Sequence, residues 1–154
     1  MLARLLISWV VTSICVVVHA VGTTAAVGWL TSRLALLSRG YLHPTWLLIR
    51  IAGWLITMHV LDISLWGLFY RWGHAFSDFH SALYFSSVTY TTVGYGDLVL
   101  PREFRLVGGI EALIGILMCG WSSAFFFAVV LRMHEARAAA SSGAGRYGTP
   151  TDPD

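Results

Sequence analysis

Charged and polar positions divide the chain into three long apolar runs separated by short polar stretches. The first extends from Leu5 to Ser32, between Arg4 and Arg33, with no acidic residue or arginine inside it. The second extends from Trp46 to Tyr70, is closed by Arg71, and carries Arg50 near its start and His59 and Asp62 in its interior. The third extends from Leu106 to Leu131, carries Glu111 one to two turns in, and ends at Arg132. A helix rising 1.5 Å per residue needs about 20 apolar residues to cross hydrocarbon. Each run therefore predicts a transmembrane helix.

The stretch between the second and third runs, GHAFSDFHSALYFSSVTYTTVGYGDLVLPREF, is too short and too polar for a fourth span with its loops. Ser77 and Asp78 form a helix start, and Phe79 to Tyr90 predicts a helix of roughly three turns, which the glycines that follow bring to a stop. A short helix followed by irregular backbone between two spans predicts a re-entrant loop, tolerated at membrane depth where it lines a watery path or is buried in protein. Gly94 and Gly96, one residue apart, are free to take positive φ, which leaves Thr92, Val93 and Tyr95 in ordinary regions. Alternating left- and right-handed torsions aim successive carbonyls the same way. Four such strands around an axis stack rings of carbonyl oxygens, with the Thr92 hydroxyls innermost, able to replace a cation's hydration shell.

Composition narrows the class further. With 56% hydrophobic and 12% charged residues in 154, the chain cannot present the polar surface of a soluble globule. Every basic residue is an arginine and none forms a block of positive charge, which excludes nucleic acid as a partner. Cys15 and Cys119 each lie deep in an apolar run and are read as small buried hydrophobes rather than as a disulfide or metal pair. The expected organisation is an N-terminal transmembrane helix over 1–37, a second unit over 45–133 that holds the other two spans and the re-entrant loop, and a disordered tail over 134–154, rich in Ala, Gly, Ser and Pro.

The segment TTVGYGD resembles the selectivity-filter signature of the potassium channel superfamily, and FHSALYFSSVTYTTVGYGDLVLP resembles the pore helix, filter and outer mouth of the bacterial two-transmembrane pore-loop module. With its flanking helices the resemblance covers roughly residues 46 to 133, and the first helix is extra to it. It implies an all-α membrane protein: three transmembrane helices plus a re-entrant pore helix and filter loop, closed into a homotetramer because each chain supplies one filter strand. It implies that carbonyls of Thr92, Val93, Gly94 and Tyr95, with the Thr92 hydroxyl, coordinate K+, and that Gly96 and Asp97 shape the outer mouth. Pore-helix aromatics that brace the filter tyrosine and the following aspartate fall at Tyr84 and Phe85. Phe85 lacks the donor of the tryptophan many relatives carry, and Val88 is apolar where some place a glutamate behind the filter. The implied function is passive, K+-selective conduction, without enzymatic chemistry, cofactor or small-molecule substrate; K+ is the permeant ion, and the partners are further copies of the chain and the bilayer. A nonselective cation pore of the same architecture is the alternative within the class.

The filter of this family opens to the outside of the cell membrane, which implies a multi-pass protein with its N-terminus outside and its C-terminus cytoplasmic. Arg33, Arg39, Arg50, Arg132 and Arg137 then fall at the cytoplasmic side, in line with the positive-inside rule, although Arg71, Arg102 and Arg105 fall outside. Trp9 and Trp29 near the ends of the first span, and Trp46 opposite Trp66 and Trp72 on the second, are expected as interfacial anchors. The small residues of VHA before Val21 offer a leader cleavage point, but the uncharged run is long for a leader and cleavage would turn the filter inward, so the helix is read as retained. It lacks an arginine at every third position and is not a charged voltage sensor. Packing around the pore and assembly are its expected roles.

His59 and Asp62 lie three residues apart on one helix face, and with Glu111 they form a polar trio in a setting where an unpaired charge is expensive. Two readings stand. The trio is a structural hydrogen-bond cluster tying the outer helix to the pore helix or the inner helix, or Glu111 or Asp62 is a proton-sensitive brace behind the filter. A non-conducting or proton-handling membrane protein built on the same three residues is the reading from another class. For the gate, Gly115 and Gly120 are candidate hinges, and Phe125, Phe126, Val129 and Val130 are candidates for an apolar constriction. Ser122 and Ser123 either line a cavity or bond back to their own helix.

Overall fold

The computed structural model describes residues 2–38 and 43–144. Among them the regular elements are all helical: α1 (Leu2–Ser38), α2 (Pro44–Trp72), α3 (Phe79–Tyr90) and α4 (Arg105–Ala144), with a single 3₁₀ turn at Arg102–Phe104 leading into α4. The spans Leu2–Arg33, Thr45–Trp72 and Arg102–Ala138 are each long and apolar enough to cross a membrane, as the three apolar runs predict. Helix α3 is the short re-entrant helix. It begins where Asp78, in extended conformation, accepts the Ser81 N–H at 2.8 Å and so satisfies one of the orphan donors of the first turn.

Helix α4 continues eleven residues into the stretch expected to be a disordered tail. The sequence from His134 to Ala140 is mostly alanine, with Glu135 and Arg137, and extending an existing helix needs no new nucleus, so good helix formers simply propagate it. Residues 145–154 of that expected tail lie outside the described residues.

Helix α1 packs along both α2 and α4, and α3 is held between α2 and α4. The buried apolar residues fall into two groups. One gathers Cys15, Trp66, Tyr70, Phe85, Tyr90, Phe104 and Met118 around α3, and the other joins Ala26 and Leu30 of α1 to Leu47, Ile51 and Leu55 of α2 and Val129 and Met133 of α4. The N-terminal end of α1 therefore lies at the end of the bundle near α3 and Phe104. There Arg4 stands over the Phe104 ring at 4.3 Å and 3.9 Å from Glu103. Trp66, expected as an interfacial anchor, is instead completely buried against Phe69 and Tyr70. It lies near the level of the pore helix, where the bundle has a protein core.

Two glycines set the approach of the helices. A Cβ on Gly22 would overlap Met58, so its absence lets α1 and α2 close, and Trp54 Nε1 donates to the Gly22 carbonyl at 3.0 Å. On α4, a Cβ at Gly115 would overlap the Tyr90 carbonyl. Gly115 thus has a packing reason at a position read from sequence as a hinge. Gly120 faces open space.

Candidate functional site

The candidate site grows out of the C-terminal end of α3. Thr91 caps the helix, its N–H returning to Ser87 O at 3.2 Å; the Thr92 N–H bonds Thr89 O at 2.9 Å, and the Gly94 N–H reaches Val88 O at 3.0 Å. The last-turn carbonyls, which a helix end otherwise leaves without partners, are taken by the loop that follows. Val88 supports the loop through its backbone carbonyl, a role independent of its side chain.

Thr92, Gly94 and Gly96 have φ of 62°, 54° and 78°, whereas Val93 and Tyr95 are on the negative side. The alternation expected at two glycines thus begins one step earlier, at Thr92, contrary to the ordinary region assigned to it from sequence. Thr92 follows the helix cap, the position at which helices end in a left-handed residue, usually glycine. A β-branched residue there costs about 1–3 kcal/mol and persists only where its surroundings hold it. Residues 91–97 are all exposed in a single chain, Tyr95 by 72%.

Past the glycines, the Tyr84 hydroxyl donates to Asp97 Oδ2 at 2.8 Å and ties α3 to the end of the loop. Phe85 does not join it. Its ring packs edge-on against Tyr70 at 5.3 Å and against Phe76 at 5.2 Å, inside the aromatic core.

The polar trio separates into two networks. Glu111, fully buried, accepts from Tyr70 Oη at 2.7 Å and lies 2.6 Å from Ser86 Oγ, which is also 2.9 Å from the Ile63 carbonyl. One hydroxyl proton cannot serve both acceptors. The set closes when Glu111 itself donates to Ser86 and Ser86 donates to Ile63, an arrangement that also spares the bundle a buried charge. The second network is centred on Asp62, also fully buried: Oδ2 accepts from Tyr90 Oη at 3.0 Å and faces His19 Nδ1 at 3.1 Å. His59 Nδ1 lies 3.1 Å from the same Tyr90 oxygen, with its ring 5.0 Å from that of His19. Both networks fasten α3 to its neighbours, on two residues of one helix.

His19 was not singled out from the sequence. The available signal was a lone imidazole in an otherwise uncharged span, in register with Cys15 one turn before and Thr23 one turn after; all three are buried.

On the inner half of α4, Val129 is buried in the core, and Phe125 and Phe126 are partly buried against it. The ring most available for a constriction is Phe127, 69% exposed and not singled out from sequence. Ser122 is buried with no hydrogen-bond partner among the described residues, so it does not bond back to its helix. Ser122, Ser123, Phe126, Phe127, His59 and Cys119 line a common groove between α2 and α4. Cys119 is exposed there in a single chain, whereas Cys15 is buried as expected.

Three apolar helices with a helix-and-loop hairpin entering between the second and third define a multi-pass membrane protein with a re-entrant pore loop. A family model described as "Ion channel" matches residues 45–132, more than half of the chain. The protein belongs to this family of two-transmembrane pore-loop ion channels, with α1 as an additional apolar helix before the matched segment. No curated protein and no solved structure matches the chain.

Proposed function

We propose that this ion channel is a homotetramer that conducts K+ selectively and passively through a filter built from Thr92 to Gly96. The observation that carries the reading is the alternation of backbone handedness at Thr92, Gly94 and Gly96. Such a strand can present its carbonyls to one side, and with four copies the carbonyls of Thr92, Val93, Gly94 and Tyr95 and the Thr92 hydroxyl form the successive oxygen rings that replace water around K+. The Gly94 N–H, drawn back to Val88 O, leaves the pore side to acceptors. Exposure of the whole 91–97 segment in one chain supports the same conclusion, because irregular backbone at membrane depth must border water or protein.

In this reading Asp97 and Gly96 border an outer mouth that faces away from the cytoplasm of the cell membrane, the N-terminus lies on that side, and the end of α4 is cytoplasmic. The carbonyl end of α3 directs partial negative charge toward the pore and favours a cation there. The deciding experiment is ion flux from liposomes holding the purified protein, driven by a K+ gradient and then by Na+, with and without barium. K+ flux that barium blocks and Na+ does not replace is expected. Equal Na+ flux would overturn selectivity and leave a nonselective pore.

A further inference from the structure

At the end of the bundle opposite the filter, α1 and α2 bring two arginines to one indole. The Arg33 Cζ lies 5.7 Å and the Arg50 Cζ 4.9 Å from the centroid of Trp29, within the distance at which an aromatic face holds a guanidinium. A guanidinium held near an aromatic face keeps its N–H donors available, and those donors suit a planar or tetrahedral oxyanion. Among the described residues neither arginine forms an ion pair or a hydrogen bond. On α1 and the first half of α2 no counter-charge is present, because no acidic residue occurs in the chain before Asp62.

Two recesses meet at this pair. A small one, of about 70 Å³, is bounded by Trp29, Arg33, Trp46, Leu47 and Arg50. A larger one, of about 300 Å³, is lined almost wholly by apolar groups of Ala25, Ala26, Ile51 and Trp54, with Trp29 and Arg50 at its edge. The larger recess lies deeper along both spans than the arginines do, since Ala25 and Ala26 precede Arg33 by about two turns and Trp54 follows Arg50 by one. An anion and a hydrocarbon chain are thereby called for side by side, in the order in which a lipid presents them.

We propose that this is a binding site for an anionic phospholipid, whose phosphate is held by Arg33 and Arg50 and one of whose acyl chains lies in the groove over Ala25 and Ile51. A zwitterionic lipid brings its own cation to the site and gains less from it. Half of the site comes from α1 and half from α2, so the matched segment does not form it without this chain's additional helix. The proposal does not depend on which ion the channel carries, and its test uses no conduction.

The test is native mass spectrometry of the purified full chain titrated with equal amounts of phosphatidylglycerol and phosphatidylcholine. Preferential retention of phosphatidylglycerol is expected. With roughly a fivefold contribution from each arginine near a membrane surface, R50Q lowers the preference about fivefold and R33Q/R50Q about thirtyfold, while R71Q/R102Q, at the other end, leaves it intact. A25L, an exposed position that fills the groove without altering charge, reduces retention of the lipid and keeps the proposal testable if the arginine variants fail to fold. Excess glycerol 3-phosphate, a headgroup without chains, is expected not to displace the lipid. Equal retention of the two lipids, undiminished preference in R33Q/R50Q, unchanged retention in A25L, or displacement by glycerol 3-phosphate would each overturn the site.

Discussion

His19 and Asp62 face each other at 3.1 Å, both fully buried, one in the additional helix and the other inside the ion channel module. Because Asp62 also receives the Tyr90 hydroxyl at 3.0 Å, a residue outside the module helps hold the end of the pore helix. Removing one partner of a buried polar pair strands the other. His19→Leu is expected to destabilise the bundle by about 1–3 kcal/mol, with part of that cost recovered when Asp62→Asn is added. A double-mutant cycle on detergent-induced unfolding checks this, and strictly additive effects would remove the pairing.

Glu111 offers a contrast between two substitutions. Glutamine supplies an amide N–H to Ser86 and a carbonyl to Tyr70, so Glu111→Gln is expected to fold and conduct like the parent. Glu111→Ala deserts both hydroxyls and leaves a void, at a cost of about 2–4 kcal/mol. Thermal unfolding of the two variants decides the matter; equal loss in both would mean that the carboxyl acts by something other than these bonds.

The two glycines of α4 are predicted to behave oppositely. Gly115→Ala forces a methyl group into the Tyr90 carbonyl and is expected to cost about 1–3 kcal/mol while disturbing the end of α3. Gly120→Ala meets nothing and is expected to gain about 0.5–1 kcal/mol of helix stability. If Gly120→Ala stops conduction in a folded protein, flexibility at that point is required and packing is not the whole account.

Asp78 lies outside the membrane spans, and the backbone N–H of Ser81 holds its carboxyl below the usual range, with the nearby His80 contributing less. A depressed folded-state value means that the carboxylate's support of α3 is complete above the unfolded value, near 4, and is lost as the pH falls through the lower folded one. Asp78→Asn retains a capping oxygen but not the charge. Its unfolding temperature is expected to lack the part of the acid-side decline that Asp78 contributes, and a profile identical to that of the parent from about pH 6 to 3 would count against the cap.

Among the described residues, the Tyr84 hydroxyl makes the one hydrogen bond between α3 and Asp97. Under the proposed function, Tyr84→Phe preserves initial K+ flux and hastens its decay, since the carbonyl rings remain while the mouth is loosened. Flux unchanged in both amount and duration would show that the bond is incidental.

The spans, the re-entrant helix with its Asp78 cap, and the glycines of the loop were legible because each rests on local chemistry: apolar run length, a capping carboxylate, and tolerance of positive φ. What sequence could not give was partnership. Glu111 and Asp62 look alike in a hydropathy pattern, yet one meets Tyr70 and Ser86 and the other His19 and Tyr90. Those pairings depend on the rotation of each helix about its axis. The same rotation turned Trp66 and Val129 inward and left Phe127 exposed. Thr92 was misassigned for a different reason, since the demands of a helix stop overrode its β-branched preference.

Forty residues of α4 amount to about 60 Å of helix, some twice the thickness of the hydrocarbon it crosses. No proline interrupts it, and its far part carries exposed Arg132, His134, Glu135 and Arg137. The rod that passes Gly115 and Phe127 therefore leaves the bilayer as continuous helix and carries a charged handle before its last turns. Anything that grips that handle pulls, through an unbroken helix, on the contact between Gly115 and the Tyr90 carbonyl.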